Sequence, residues 1–223
     1  MKNSLINISN QDNGILRLTL DDENNKNALS KAMIGELTEA INAANNNKEV
    51  KVIIIASIGN VFCSGHNLKE ITAARNNNDK GESYFMNLFE LCSSLMQLIV
   101  SCSKPVIAEV DGIATAAGCQ LVASCDLAIS SSTAKFATPG VNIGLFCSTP
   151  MVALSRNVSK KEAMKMLLTG DMIDAVEAKR ISLINDYVSE DKLEELVNNL
   201  ALKISKKSSM TVKIGKEAFY KQA

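Results

Sequence analysis

Apolar positions recur along the chain with two periods, and the switches between them divide it into short elements. Leu5–Ile8 and Ile15–Leu20 alternate apolar and polar residues on either side of Asp12-Asn13-Gly14. That pattern predicts a β-hairpin closed by a type I′ turn. Ser30 stands where a helix N-cap belongs, and Met33, Leu37, Ala40, Ile41 and Ala44 share one face of the helix expected to about Asn45. Val52–Ala56 is apolar without alternation, as in a parallel strand buried on both faces. Gly59–Asn67 reads as loop, and a short helix follows from Leu68. From Tyr84 to Val100, Phe85, Leu88, Phe89, Cys92, Leu95, Met96 and Ile99 return at helical spacing until Lys104-Pro105 ends the run.

Pro105–Ser130 (PVIAEVDGIATAAGCQLVASCDLAIS) is the most informative stretch. A β-branched run precedes Asp111-Gly112, small residues continue through Gly118, and a second apolar run spans Leu127–Ile129. This reads as strand, tight turn, helix start, strand, an order that aims the free N–H groups of a helix N-terminus into the loop beyond the strand. A short strand (Lys135–Ala137), a Pro/Gly-punctuated loop (Thr138–Pro150) and helices around Met151–Asn157 and Lys160–Thr169 come next, with Gly170 as a stop. Asp174–Ile181 predicts a helix, Asp186–Val188 a strand, Ser189 a cap on an amphipathic helix (Leu193, Leu196, Val197, Leu200, Ile204), and Thr211–Tyr220 a last helix. Strand pair plus helix, repeated, predicts an α/β fold of stacked ββα turns with a C-terminal helical tail. The division expected is 1–188 for the spiral core and 189–223 for the helical segment.

Composition narrows the function classes. The 223 residues carry 24 Lys+Arg against 24 Asp+Glu, so no net charge favours nucleic acid or an anionic membrane as the main partner. No apolar stretch approaches the ~20 residues of a membrane span. The start, MKNSLINISNQDNG, has neither a signal-peptide core nor an Arg-rich transit-peptide character, which predicts a cytoplasmic chain. Six cysteines without a CxxC pair and a single histidine argue against a metal site; the thiols read as buried small hydrophobes in a reducing compartment.

Several motifs in order then resemble one family. Asn27-Ala28-Leu29, VFCSGHNLKE (Val61–Glu70), the Pro105–Ser130 stretch, ATPGVNIGL (Ala137–Leu145) and LLTGDMIDAVEAKRISLINDYV are similar to the crotonase (enoyl-CoA hydratase/isomerase) superfamily, whose architecture is a spiral of ββα turns. Ser182 stands where that family usually has glycine. Family chains run some tens of residues longer, so the helical tail, which in the family supports a trimer, is expected to be incomplete.

The resemblance implies a Coenzyme A thioester as substrate or ligand, with no covalently bound cofactor. It places backbone N–H groups of His66 and Ala117 around the thioester oxygen, an oxyanion hole that stabilises an enolate; Gly118 alternatively serves only close packing of helix on strand. Coenzyme A contacts carry over to Lys26, Ala28, Leu29, Ser64, His66, Asn67 and Leu68, with Lys69 as a further candidate for its phosphates. The two glutamates of family hydratases fall at Gln120 and Gly140, and losing such groups costs ~10²–10⁴ in rate for one and more for both. The subgroup most similar is that of hydratase-domain proteins lacking the pair. Three readings remain: an acyl-CoA-binding protein with weak or absent hydratase activity, a decarboxylase-type thioester enzyme using His66, or a non-catalytic binder of acyl-CoA or, less favoured, RNA. Cys119 and Cys147 read as packing rather than nucleophiles. Asn142, Ser148 and Thr149 either line an acyl pocket or cap the helix near Pro150. A homo-oligomer, trimer or dimer of trimers, is expected, with the apolar face of Leu193–Ile204 as one reason.

Overall fold

The computed structural model describes residues 4–222. β1 (Ile6–Gln11) and β2 (Ile15–Leu20) pair antiparallel, Ile6 opposite Leu20 and Gln11 opposite Ile15. Asn13 and Gly14 between them have φ of 64° and 78°, the left-handed pair that a type I′ turn requires. The Met33 N–H donates to Ser30 Oγ at 3.1 Å and opens α1 (Lys31–Asn46), whose expected stripe is buried and is joined by Ile34. After β3 (Val52–Ser57) comes β4 (Val61–Cys63), a strand inside the segment read as loop. Three residues are too few for a period of two to declare itself.

α2 (Leu68–Ala74), α3 (Glu82–Ser101) and β5 (Val106–Val110) follow. β6 (Ile113–Thr115) is a second short strand hidden before α4 (Ala117–Ser124). The chain continues through β7 (Leu127–Ser131), β8 (Lys135–Ala137), α5 (Ser148–Asn157), α6 (Lys160–Thr169), β9 (Ile173–Asp174), α7 (Ala175–Arg180), β10 (Asp186–Val188), α8 (Glu190–Ser205) and α9 (Ser209–Gln222). Ser189 sits at the start of α8, but its hydroxyl makes no capping bond. Ser182 has φ of 68°, the left-handed backbone that explains the glycine expected there.

Six strands form one sheet in the order β1-β2-β3-β5-β7-β10, parallel except for the hairpin; β4-β6-β8-β9 form a second. The turns that begin at β3, β5 and β7 each lay one strand in the large sheet, the next in the small sheet, and then helix. This is the α/β spiral of stacked ββα turns with a helical tail. Alternate residues of the large sheet enter two cores: Ile53, Ile55, Val106 and Ala108 pack with α1 and α3, while Ile54, Ile107 and Ile129 pack with Leu193, Val197 and Ala201 of α8. Burial on both faces is why these strands read as unbroken apolar runs.

Two expectations are corrected here. The apolar face of α8 is consumed by its own chain's sheet, so it gives no reason to expect an oligomer. α3, at 20 residues, is long and apolar enough by composition to cross a membrane; it turns Leu88, Cys92, Leu95, Met96 and Ile99 into the core and leaves Met86, Phe89 and Leu91 exposed.

Candidate functional site

The candidate site forms where two short strands end side by side. β4 and β6 pair in parallel, Cys63 beside Ala114, and Thr115 Oγ1 donates to the Ser64 carbonyl at 3.2 Å. A Cβ added at Gly65 would lie 3.1 Å from the Ala117 nitrogen and 2.9 Å from Ala116 Cβ. At Gly118 it would lie 2.0 Å from the Cys63 carbonyl oxygen. Gly118 thus does serve close packing, jamming the N-terminus of α4 against β4, and glycine is required for it.

That jam brings the Gly65–His66 and Ala116–Ala117 peptides together. The Leu29 N–H donates to the Gly65 carbonyl at 2.8 Å, and Leu29 bridges His66 in parallel. Among the described residues neither the His66 nor the Ala117 N–H meets an intramolecular acceptor. Ala116 holds φ 50°, ψ −120°, costing about 1–3 kcal/mol in a residue with a Cβ. Its N–H to Ala137 O and its carbonyl to Gln120 N–H, both 3.0 Å, keep it there.

The other predicted ligand residues gather on the same edge. The Ser64 N–H donates to the Lys26 carbonyl at 3.2 Å. Asn27 is nearly fully buried; its amide donates to Ile58 O and Val61 O and its oxygen accepts from the Asp22 N–H, fixing the turn that presents Ala28 and Leu29. Asn67 Oδ1 accepts from Lys69 and Glu70 N–H and caps α2. Leu68 is exposed, and Lys69 Nζ reaches Asn25 Oδ1 at 3.1 Å. The Lys26–Leu29 and Ser64–Leu68 segments thus run side by side, with Ala28 and Leu29 buried, Ser64, His66 and Asn67 half-buried, and Lys26 and Leu68 exposed.

His66 stands with its ring edge-on to Phe89, centroids 5.4 Å apart. Burial lowers its pKa from 6.5 to about 4, so the imidazole is neutral near pH 7. Its Nε2 is buried without a partner, as are Gln120 Oε1 and Thr138 Oγ1. Gln120 lies one turn along α4 from Ala117, and Thr138 directly follows Ala137, which holds Ala116. At Gly140 the N–H donates to Cys147 Sγ at 3.3 Å. A Cβ there would meet the Leu145 carbonyl oxygen at 2.2 Å and Cys147 Sγ at 2.8 Å. The turn Gly140–Leu145, closed by Leu145 N–H to Gly140 O at 2.9 Å, leaves no room for any side chain. Burial raises the Cys147 thiol and pushes Cys119 up to about 12, which leaves both as thiols and poor nucleophiles. Ser148 donates to the Phe146 carbonyl and Asn142 is exposed.

Three residues escaped the sequence reading. Phe89 matched the helical period of the α3 core yet stays partly exposed beside His66. Glu70 accepts from Tyr84 OH at 2.8 Å and the Lys31 N–H at 3.2 Å. Thr138 had no signal beyond its place after β8.

Comparison with known proteins adds an independent line. The enoyl-CoA hydratase/isomerase family profile matches residues 10–223. The mitochondrial enoyl-CoA hydratase domain-containing protein 3 of Xenopus laevis is 47% identical over 222 residues, covering 100% of this chain and 74% of the relative. The human protein of that name is 47% identical over 209 residues, 94% and 67%. Among solved structures, an enoyl-CoA hydratase of Mycobacterium smegmatis superposes with a TM-score of 0.93 at 43% identity, covering 98% of this chain and 83% of that one. Human enoyl-CoA hydratase domain-containing protein 3 gives 0.92 at 45%, covering 98% and 84%.

Proposed function

Because the chain belongs to the enoyl-CoA hydratase/isomerase family, we propose that it binds acyl-CoA thioesters and polarises their carbonyl without hydrating them efficiently. The observation that carries this reading is the pair of unpartnered N–H groups at His66 and Ala117, held together by the Gly65 and Gly118 approaches. Two donors aimed at a developing oxyanion are worth roughly 3–4 kcal/mol each when removal is measured in enzymes. The edge from Lys26 to Leu29 and from Ser64 to Leu68 is the proposed seat of Coenzyme A. Gln120 and Gly140 supply no carboxylate for moving a proton to or from water or the α-carbon.

The test is paired. Calorimetric titration with a saturated acyl-CoA should show binding, and crotonyl-CoA should lose its conjugated thioester absorbance at least ~10⁴-fold more slowly than with family hydratases. Turnover near ordinary hydratase rates would end the reading, and so would the absence of acyl-CoA binding. A second reading, decarboxylation of a malonyl-type thioester, is favoured by one observation: the neutral His66 has a buried, unpartnered Nε2 beside the amide pair. CO₂ loss would generate the enolate directly, and its release would be measured by trapping. We further read the chain as a trimer or dimer of trimers, with residues 189–223 contributing through α9, whose Met210, Ile214 and Phe219 are exposed. Cytoplasmic placement is retained as our reading, to be checked by cell fractionation, since relatives carry mitochondrial names.

A further inference from the structure

At the opposite end of β5 from the amide pair, the α8–α9 turn leans over the chain just before β3 and β5. The cleft beneath it has a volume of ≈ 280 Å³ and is lined by Lys51, Lys104, Lys207 and Lys213, with Ser209 and Met210 at its rim. These four lysines come from distant parts of the sequence and none forms an ion pair among the described residues, whereas Lys179, Lys216 and Lys221 pair with Asp186, Asp126 and Glu217. No carboxylate lines the cleft. Of the acids around it, Glu217 borders the adjoining cleft past Lys213 and is committed to Lys221 at 2.7 Å, and Asp126 is committed to Lys216 at 2.7 Å. In a chain whose charges balance overall, four lysines lining one cleft raise a local positive potential that an anion would relieve.

A second feature points the same way. α9 begins at this rim, and among the described residues the Ser209 and Met210 N–H groups have no intramolecular acceptor, while Thr211 and Val212 donate back to Ser208. A helix N-terminus with free amides beside lysines is suited to phosphate. Lysines, unlike arginine forks, hold phosphate oxygens as point charges without demanding one orientation. The volume sits just below the range of drug-sized pockets, so the occupant is small. We propose that this cleft binds a diphosphate group, carried by a small molecule or as free pyrophosphate. It shares no lining residue with the Lys26–Leu29 and Ser64–Leu68 edge, and so is a separate site from the one proposed for the thioester.

Inorganic pyrophosphate titrated into the ¹⁵N-labelled full chain at about 0.15 M salt tests this. The Ser209 and Met210 amides should shift saturably. K104Q/K213Q should weaken the response about tenfold while leaving thermal unfolding and acyl-CoA affinity unchanged. Should that variant fold poorly, K207Q alone should still weaken binding measurably. An equal response to sodium chloride at matched ionic strength would overturn the proposal, as would unchanged affinity in the lysine variants. A parallel loss of acyl-CoA binding would overturn the claim of a separate site.

Discussion

At the scale of single residues, Gly140 and His66 decide what the site can do. The family resemblance implies that a hydratase pair is replaced by Gln120 and Gly140. It did not show that position 140 is closed, because that closure comes from Leu145 O and Cys147 Sγ folding back over five residues of turn. Restoring a glutamate at 120 alone is therefore compatible with the fold, whereas Gly140→Glu is not. Gly140→Ala should already cost about 2 kcal/mol by overpacking, read by urea unfolding, and Gln120→Glu/Gly140→Glu should lose stability without gaining hydration. His66 offers a second measurement. Its pKa in the fold is about 4 against 6.5 when unfolded, so the unfolded state takes up the proton first. Its contribution to stability is complete above pH ~6.5 and is lost as pH falls towards 4, by about 2 kcal/mol after allowance for its partial exposure. His66→Phe should flatten that segment of the stability–pH curve, and an unchanged slope would assign the pH dependence elsewhere.

At the scale of elements, legibility followed length. α1, β3, α6, β5 and β7 were readable because each carries several turns or a continuous apolar run. β4 and β6 were not, although β8 and β10 of the same length were: they sit inside glycine-punctuated stretches that read as loop or turn, and their neighbours in the small sheet define them. Those two unreadable strands set the spacing of the amide pair, so the motif offered candidate residues without showing how they meet. α9 poses a different question, because the described chain buries none of its residues fully. What fastens it is Lys216, whose ammonium donates to Asp126 at 2.7 Å and to the Ile99 and Lys104 carbonyls at 3.0 Å. Its side chain is only 7% exposed, against 16% for Asp126. Lys216→Met should leave that carboxylate without its cation, held only through the Val106 N–H, and take the ammonium donor from the Ile99 and Lys104 carbonyls, costing about 3 kcal/mol. Hydrogen exchange should locate the loss first in α9; uniform protection along that helix would show that other contacts hold it.

At the scale of the whole molecule, the spiral leaves apolar side chains gathered on one side. Ile143, Leu145, Leu168, Met172 and Val176 are all more than half exposed. The turn carrying Ile143 adjoins the α6–β9 corner, where a Cβ added at Gly170 would lie 3.0 Å from Asn142 Nδ2 and Val141 Cγ2. Exposed apolar residues singly need no explanation, but a contiguous group of this size marks a surface meant to be covered. The cover we expect is another copy of the chain. The same turn, from Gly140 to Cys147, packs tightly over Gly140, so association would brace the wall of the proposed acyl site as well as hide the patch. Leu168→Glu with Met172→Glu should convert the protein from a species of about three or six times the 24.0 kDa chain mass to a monomer by light scattering. Both residues lie outside the Lys26–Leu29 and Ser64–Leu68 edge, so a fall in acyl-CoA affinity on dissociation would show bracing through the turn. A monomer that binds acyl-CoA undiminished would separate assembly from the site, and a wild-type monomer would remove the copy from the patch altogether.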